Sequence, residues 1–239
     1  MSSTRTSPSS QASFNRPELR SSTAALEEAV AFVQEHGGRS YLKRNLAEQR
    51  PPFFRAIVRD VYVYASHRGE RTKLQTRFGR WVYALRLPFA ASEYLGLVLY
   101  RLRMSLFAKH VPLIPSILGW ICAVWWGIRI GDPVVIDEGV YIAHGQLVID
   151  GLTYIGKGTY LSPSVTIGLV QSNPIGPHIG NGVFVGTGAR ILGPVRIGHG
   201  ARIGANAVVL SDVPARATAA GVPARVIPRK EPAQPQSPA

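Results

Sequence analysis

The sequence predicts an α+β chain in which a helical N-terminal part precedes a prism of parallel strands wound from six-residue repeats. Three observations carry this. From Ile130 to Val213 an aliphatic residue returns at every sixth position: Ile130, Ile136 and Ile142, then Ile149, Ile155, Leu161 and Ile167, then Ile179, Val185, Ile191, Ile197, Ile203 and Val209. That beat is neither the period of an α-helix nor the alternation of a strand. It marks a coil whose flat sides each repeat one short strand and one turn, with every sixth side chain pointing inward. Gly follows the aliphatic residue at 131, 156, 168, 180, 186, 198 and 204, where a bend needs little bulk. Sandwich strands are separated by turns at irregular spacing, about 8–12 residues, and would not hold phase over a dozen units. The third observation is the switch, before Ile130, to apolar residues at helical spacing.

Taken in order, residues 1–22 are rich in Ser, Thr and Arg and read as a disordered arm without the apolar core of a secretory signal. A helical domain is expected over 23–129. Thr23 to His36 carries Leu26, Val30 and Val33 on one face and stops at Gly37-Gly38. Arg39 to Glu48 forms a short helix before Pro51-Pro52, and Phe53 to Tyr64 another. Leu74 to Ala108 reads as a helix broken or kinked at Pro88. Val111 to Ile128 has no formal charge and holds Trp120, Trp125 and Trp126, but Pro112, Pro115 and Gly119 argue for a buried helix docked on the end of the prism rather than a membrane span. An interfacial helix is the alternative. The prism is expected over 130–214, and 215–239 is a C-terminal segment and disordered tail.

The net charge of +13 is lopsided: residues 130–239 hold eight Lys/Arg against six Asp/Glu, leaving +11 on the first 129. No nucleic-acid motif or aromatic-basic ladder accompanies that charge, so nucleic acid is not expected as a partner. Solvated helix faces, an anionic membrane surface or an acidic substrate account for it. Cys122 is the single cysteine, which excludes an intrachain disulfide and suits a cytoplasmic setting, peripheral at the inner face of a membrane if the basic part binds lipid.

The repeat falters twice. One extra residue intervenes between Ile142 and Ile149, beside His144, and the stretch Gly168 to His178 replaces one hexad before Ile179 resumes in phase. Loops extruded from a rigid scaffold commonly carry function. His199 falls in a solvent-facing slot of a regular hexad, and His36, His67 and His110 have no companions that suggest a site.

Leu99-Tyr100-Arg101-Leu102, Ile142-Ala143-His144-Gly145, Val165-Thr166-Ile167-Gly168, Gly186-Thr187-Gly188-Ala189-Arg190-Ile191-Leu192-Gly193 and Ala220-Gly221-Val222-Pro223-Ala224-Arg225 occur in the order seen in serine O-acetyltransferases, which the chain resembles from about Phe53 to Ile227. The resemblance implies a left-handed parallel β-helix and acetyl transfer from acetyl-CoA to a hydroxyl, with no covalent intermediate and no metal. It places a general base at His144 and CoA contacts at Thr187, Arg202, Ala205, Gly221 and Arg225, the two arginines near phosphates. It also implies a homotrimer, in some relatives a hexamer joined through N-terminal helices. Three departures stand out. Ala143 replaces an aspartate that engages serine, and Arg129 holds the place of the aspartate that orients the imidazole, where a cation opposes an imidazolium. The loop histidine falls on Gly176, with His178 two positions later as a candidate acceptor contact. Asp132, Asp137 or Asp150 could replace the orienting carboxylate. These losses lie on the acceptor side, so a glycan or other polysaccharide precursor is expected as acceptor ahead of L-serine. A metal-dependent hydratase would need ligand spacing that His144, His178 and His199 lack, and a non-catalytic scaffold is the remaining alternative.

Overall fold

The computed structural model describes residues 48, 50–170 and 173–227; the arm, the Thr23–His36 helix, nearly all of Arg39–Glu48 and the tail beyond Ile227 lie outside the described residues. Among the described residues four helices come first: α1 (Phe53–His67), α2 (Arg77–Ala90), α3 (Ser92–Ala108) and α4 (Ile114–Trp126), with a 3-10 turn at Arg71–Leu74 between α1 and α2. The predicted single helix over Leu74–Ala108 is two helices, bent by 104°. The break is at Ala91, not at Pro88, which lies inside the last turn of α2. A proline there removes one terminal hydrogen bond, and Ala91 N–H still closes the turn on Leu87 O at 2.8 Å. The uncharged segment also differs from expectation. Its helix α4 packs along α3 and runs through Gly127 into the prism, yet buries only Pro115 and Cys122 and leaves Ile117, Trp120, Val124 and Trp125 exposed.

The prism has three parallel faces. Face A stacks β1 (Ile128–Ile130), β4 (Leu147–Ile149), β7 (Thr166–Gly168), β10 (Arg190–Leu192) and β13 (Val208–Val209). Face B stacks β2 (Val135–Ile136), β5 (Tyr154–Ile155), β8 (His178–Ile179) and β11 (Arg196–Ile197). Face C stacks β3 (Tyr141–Ile142), β6 (Tyr160–Leu161), β9 (Phe184–Val185), β12 (Arg202–Ile203) and β14 (Thr218–Gly221), closed by an antiparallel β15 (Ala224–Ile227). The inward aliphatics form one continuous core and meet level by level, as in Ile149↔Ile167↔Ile191↔Val209. Ile155 pairs with Ile179 across the extruded loop, as its length in whole hexads requires.

Two details refine the repeat. The glycine after an inward aliphatic is needed less for bending than for stacking: a Cβ on Gly186 would lie 2.7 Å from Ala205 N, and one on Gly180 2.8 Å from His199 N. The prism also extends past the expected boundary at 214. Val213 bridges to Ile197 and Ala219 pairs with Ile203, so the final coil is two residues shorter than the regular ones.

The helices are clamped to the prism by a buried ion pair. Arg101 on α3 donates to Asp60 on α1 through Nε at 2.6 Å and Nη2 at 3.0 Å. Its guanidinium also donates to Asp137 O at 2.8 Å and Ile136 O at 3.2 Å, while Asp60 accepts the Gly139 N–H at 2.8 Å. One carboxylate and one guanidinium thus tie two helices to the first coil.

Candidate active site

Every coil turns three corners, and the candidate residues sort by corner. His144 occupies the corner between faces C and A, where the extra residue is absorbed by three successive left-handed residues: His144 at φ 57°, Gly145 at 69° and Gln146 at 52°. A histidine held at positive φ is uncommon, and such backbone outliers cluster at functional sites. The corner is braced from both sides. Gln146 N–H donates to Trp126 O at 2.9 Å, and Ser164 Oγ, one coil further on, donates to Gln146 Oε1 at 3.1 Å. The His144 side chain is exposed, and no described residue hydrogen-bonds to its ring.

Thr187 and Ala205 sit at that same corner, two and three coils along, and are linked through Asn206 N–H donating to Thr187 O at 2.8 Å. Arg202 projects from face C beside them, its guanidinium 4.9 Å from the centroid of the Phe184 ring. Gly221 and Arg225 lie on the last strands of face C, where Arg225 pairs with Ala220 in the closing hairpin. Thr187 and Ala205 therefore share the His144 corner, while Arg202, Gly221 and Arg225 lie on the adjoining face C toward its C-terminal end. Coils stack about 4.8 Å apart, so the edge from the His144 level to the β14 level spans about 19 Å. An aromatic ladder, Tyr141 on Tyr160 on Phe184 with centroids 5.0 Å apart, runs along face C up to Arg202. In the sequence the ladder is the residue preceding every third inward aliphatic, Tyr141 before Ile142, Tyr160 before Leu161 and Phe184 before Val185.

His178 is elsewhere. It lies on face B, stacked on Tyr154 at 4.8 Å and 14°, and borders a depression of about 340 Å³ with Arg196, His199 and Asp212. His199 is exposed, as expected, and its Nδ1 accepts the Asn181 N–H at 2.8 Å. The extruded loop leaves the corner between faces A and B, so face A separates it from His144 within one chain.

None of the three candidate carboxylates orients His144. Asp132 pairs with Arg103, Asp137 accepts the Tyr154 hydroxyl at 2.9 Å and the Glu138 N–H at 2.7 Å, and Asp150 caps its own turn at Gly151 N. Asp132 and Asp150 belong to the A–B corner and Asp137 to the B–C corner. Ala143 is buried, and Arg129 is exposed on β1.

Comparison with known proteins places this geometry. The bacterial transferase hexapeptide (six repeats) family matches residues 176–211. A serine acetyltransferase of Helicobacter pylori strain J99 is 38% identical over 135 residues, which cover 55% of this chain and 79% of that protein. The chain belongs to the serine acetyltransferase family. A serine acetyltransferase of Synechococcus elongatus is likewise 38% identical over 137 residues, but there the match spans little more than half of each protein, 56% of both. A serine acetyltransferase solved in complex with CoA superposes with a TM-score of 0.61 at 25% identity, covering 77% of this chain and 73% of that one. The architecture read from the hexads is that of these acetyltransferases, and the helices ahead of the prism are part of it.

Proposed function

We propose that the protein transfers the acetyl group of acetyl-CoA to a hydroxyl, with L-serine as acceptor and His144 as general base. The observation that carries the reading is the alignment of these residues along the His144 corner and the adjoining face C. Thr187 and Ala205 lie in the His144 column, and Arg202, Gly221 and Arg225 lie at its far end. That arrangement suits an elongated donor with its thioester at the imidazole and its phosphates at the arginines, where guanidinium forks bind well. His144 takes the proton of the acceptor hydroxyl as that oxygen attacks the thioester carbon, and returns it to the departing thiolate. The CoA-bound relative and the serine acetyltransferases at 38% identity support the donor and the acceptor.

A glycan hydroxyl is the second reading, favoured by one local observation: Ala143 offers a buried methyl group, and no carboxylate of the described coils lies at the His144 corner. The relatives lend that reading no support. Thiol release from acetyl-CoA, measured with L-serine and with a panel of sugars, decides between them. Faster release with L-serine is expected; release only with sugars overturns the first reading.

Face A keeps the loop and His178 away from His144 within one chain. A three-fold assembly, in which a neighbour's loop closes over the His144 corner, would complete the acceptor side, and we take a homotrimer as the working form. Mass measurement in solution tests it; a monomer with full turnover refutes it.

A further inference from the structure

Helix α2 does something the reaction does not require. Its buried side is narrow, holding Tyr83 and Leu87, while a second apolar stripe faces solvent. Phe78, Trp81, Leu85 and Phe89 are 80%, 79%, 77% and 90% exposed, and Val82 lies among them. At 3.6 residues per turn these five side chains fall within a sector about 100° wide, so they form one face rather than scattered apolar residues. Arg77 and Arg86 flank that sector on its two sides, and both are exposed. The helix contains no Asp or Glu. Glu70, the acid nearest along the chain before it, is occupied by Arg68, Lys73 and the Tyr83 hydroxyl.

We propose that α2 docks the protein on an anionic lipid surface, with Phe78, Trp81, Leu85 and Phe89 entering the interface and Arg77 and Arg86 meeting the headgroups. An aromatic and aliphatic face edged by arginines is the pattern of helices that lie in the plane of a bilayer. Charge selects this occupant over a second copy of the chain. A two-fold contact through the stripe would set arginines against their own kind with no helix carboxylate to offset them, whereas anionic headgroups supply the missing counter-charge. α2 alone is too short to cross a bilayer; only the bent pair α2 and α3 together has the length and composition of a span, and α3 buries Tyr94, Leu97, Tyr100, Arg101 and Met104 within the protein. Docking therefore holds the protein flat at the surface and is independent of which acceptor the site takes.

The test uses the full chain and vesicles of phosphatidylcholine with or without phosphatidylglycerol, read by co-sedimentation and Trp fluorescence. Binding is expected only with phosphatidylglycerol, weakened by salt. Arg77→Gln and Arg86→Gln each lower affinity about fivefold, and Trp81→Ser at least about tenfold, with turnover in solution unchanged. Because none of the substituted residues is among the proposed catalytic or cofactor contacts, loss of vesicle binding with intact turnover separates this proposal from the catalytic one. No binding to phosphatidylglycerol vesicles overturns it. So does a fall in oligomer mass caused by Trp81→Ser, which would assign the stripe to an interface between copies.

Discussion

The Asp60–Arg101 clamp makes an asymmetric prediction. Removing Asp60 with Ala strands Arg101, whose side chain is 4% exposed, as a buried guanidinium without its carboxylate. Two of its four donated bonds vanish and Gly139 N–H loses its acceptor, while the bonds to Ile136 O and Asp137 O remain. Breaking a buried pair in this way costs about 3–5 kcal/mol, and the surviving carbonyl contacts put the figure near the lower end, about 3 kcal/mol. In a chain of this size that lowers Tm by roughly 6–12 °C. Arg101→Met differs because a carboxylate has an escape. Burial already raises the Asp60 carboxyl to about 6, against the pull of Arg101 and of the Gly139 N–H. Without the guanidinium it rises further, since the largest opposing influence is gone. A carboxyl that binds its proton more tightly folded than unfolded adds stability as pH falls through its folded pKa toward its unfolded value near 3.8. The cost of Arg101→Met should therefore shrink between pH 7 and pH 5, while that of Asp60→Ala should persist. Denaturant unfolding of both variants at the two pH values measures this. A cost for Asp60→Ala below about 1 kcal/mol, or one that disappears at pH 5 as the Arg101→Met cost does, would refute the reasoning.

Other outcomes follow from the site and the coil. His144→Asn keeps a residue tolerant of positive φ but removes the base, so turnover should fall about 10²–10⁴-fold with Tm unchanged; retained thiol release would remove His144 from the mechanism. Arg202→Ala and Arg225→Ala should each raise KM for acetyl-CoA about tenfold or more with kcat little changed, as loss of a charged phosphate contact implies. Gly180→Ala should destabilise by about 1–3 kcal/mol, because its Cβ would press on the backbone of the next coil at His199 N and Ile197 O; thermal unfolding reports it.

How far the sequence speaks depends on whether a feature repeats. The inward hexads, the slip beside His144 and the whole-hexad loop could all be read because each is a count along the chain, and Ile155 pairing with Ile179 follows from the count alone. Features that depend on one contact could not. Asp60 and Arg101 are 41 residues apart, and nothing in their spacing announces a clamp. Gly186 reads from the sequence as a bend, yet its constraint comes from Ala205 in the next coil. The short final coil was missed because Val213 stands only four residues after Val209 and is out of step with the beat. The α4 segment carries no charge, and neither that nor its prolines can tell a helix buried all round from one packed on a single side. At the site, Thr187 and Ala205 align with His144 for the same reason the core does, because whole coils separate them. No such rule locates the partner of an imidazole, and Asp132, Asp137 and Asp150 each proved engaged elsewhere.

The two departures from the regular beat now bear on assembly rather than on one chain. A three-faced coil returns to the same corner every third hexad, so an irregularity stays at the corner where it arises. The slip is at the C–A corner and the loop at the A–B corner, separated by one face of the prism, six residues or about 20 Å of extended chain. No side chain bridges that distance within a protomer. If the loop and His178 contribute to the acceptor, they do so at a neighbour's His144 corner, where the His144 ring is exposed and no described residue hydrogen-bonds to it. Mixing two inactive variants tests this directly. Suppose that His144→Asn, and a variant with residues 169–177 shortened to one glycine-rich turn, are each inactive alone. Co-assembled, they should regain part of the activity, because some interfaces then pair an intact histidine with an intact loop. If every mixture stays inactive while the mixed oligomers form, base and loop belong to one chain's site and the three-fold argument fails.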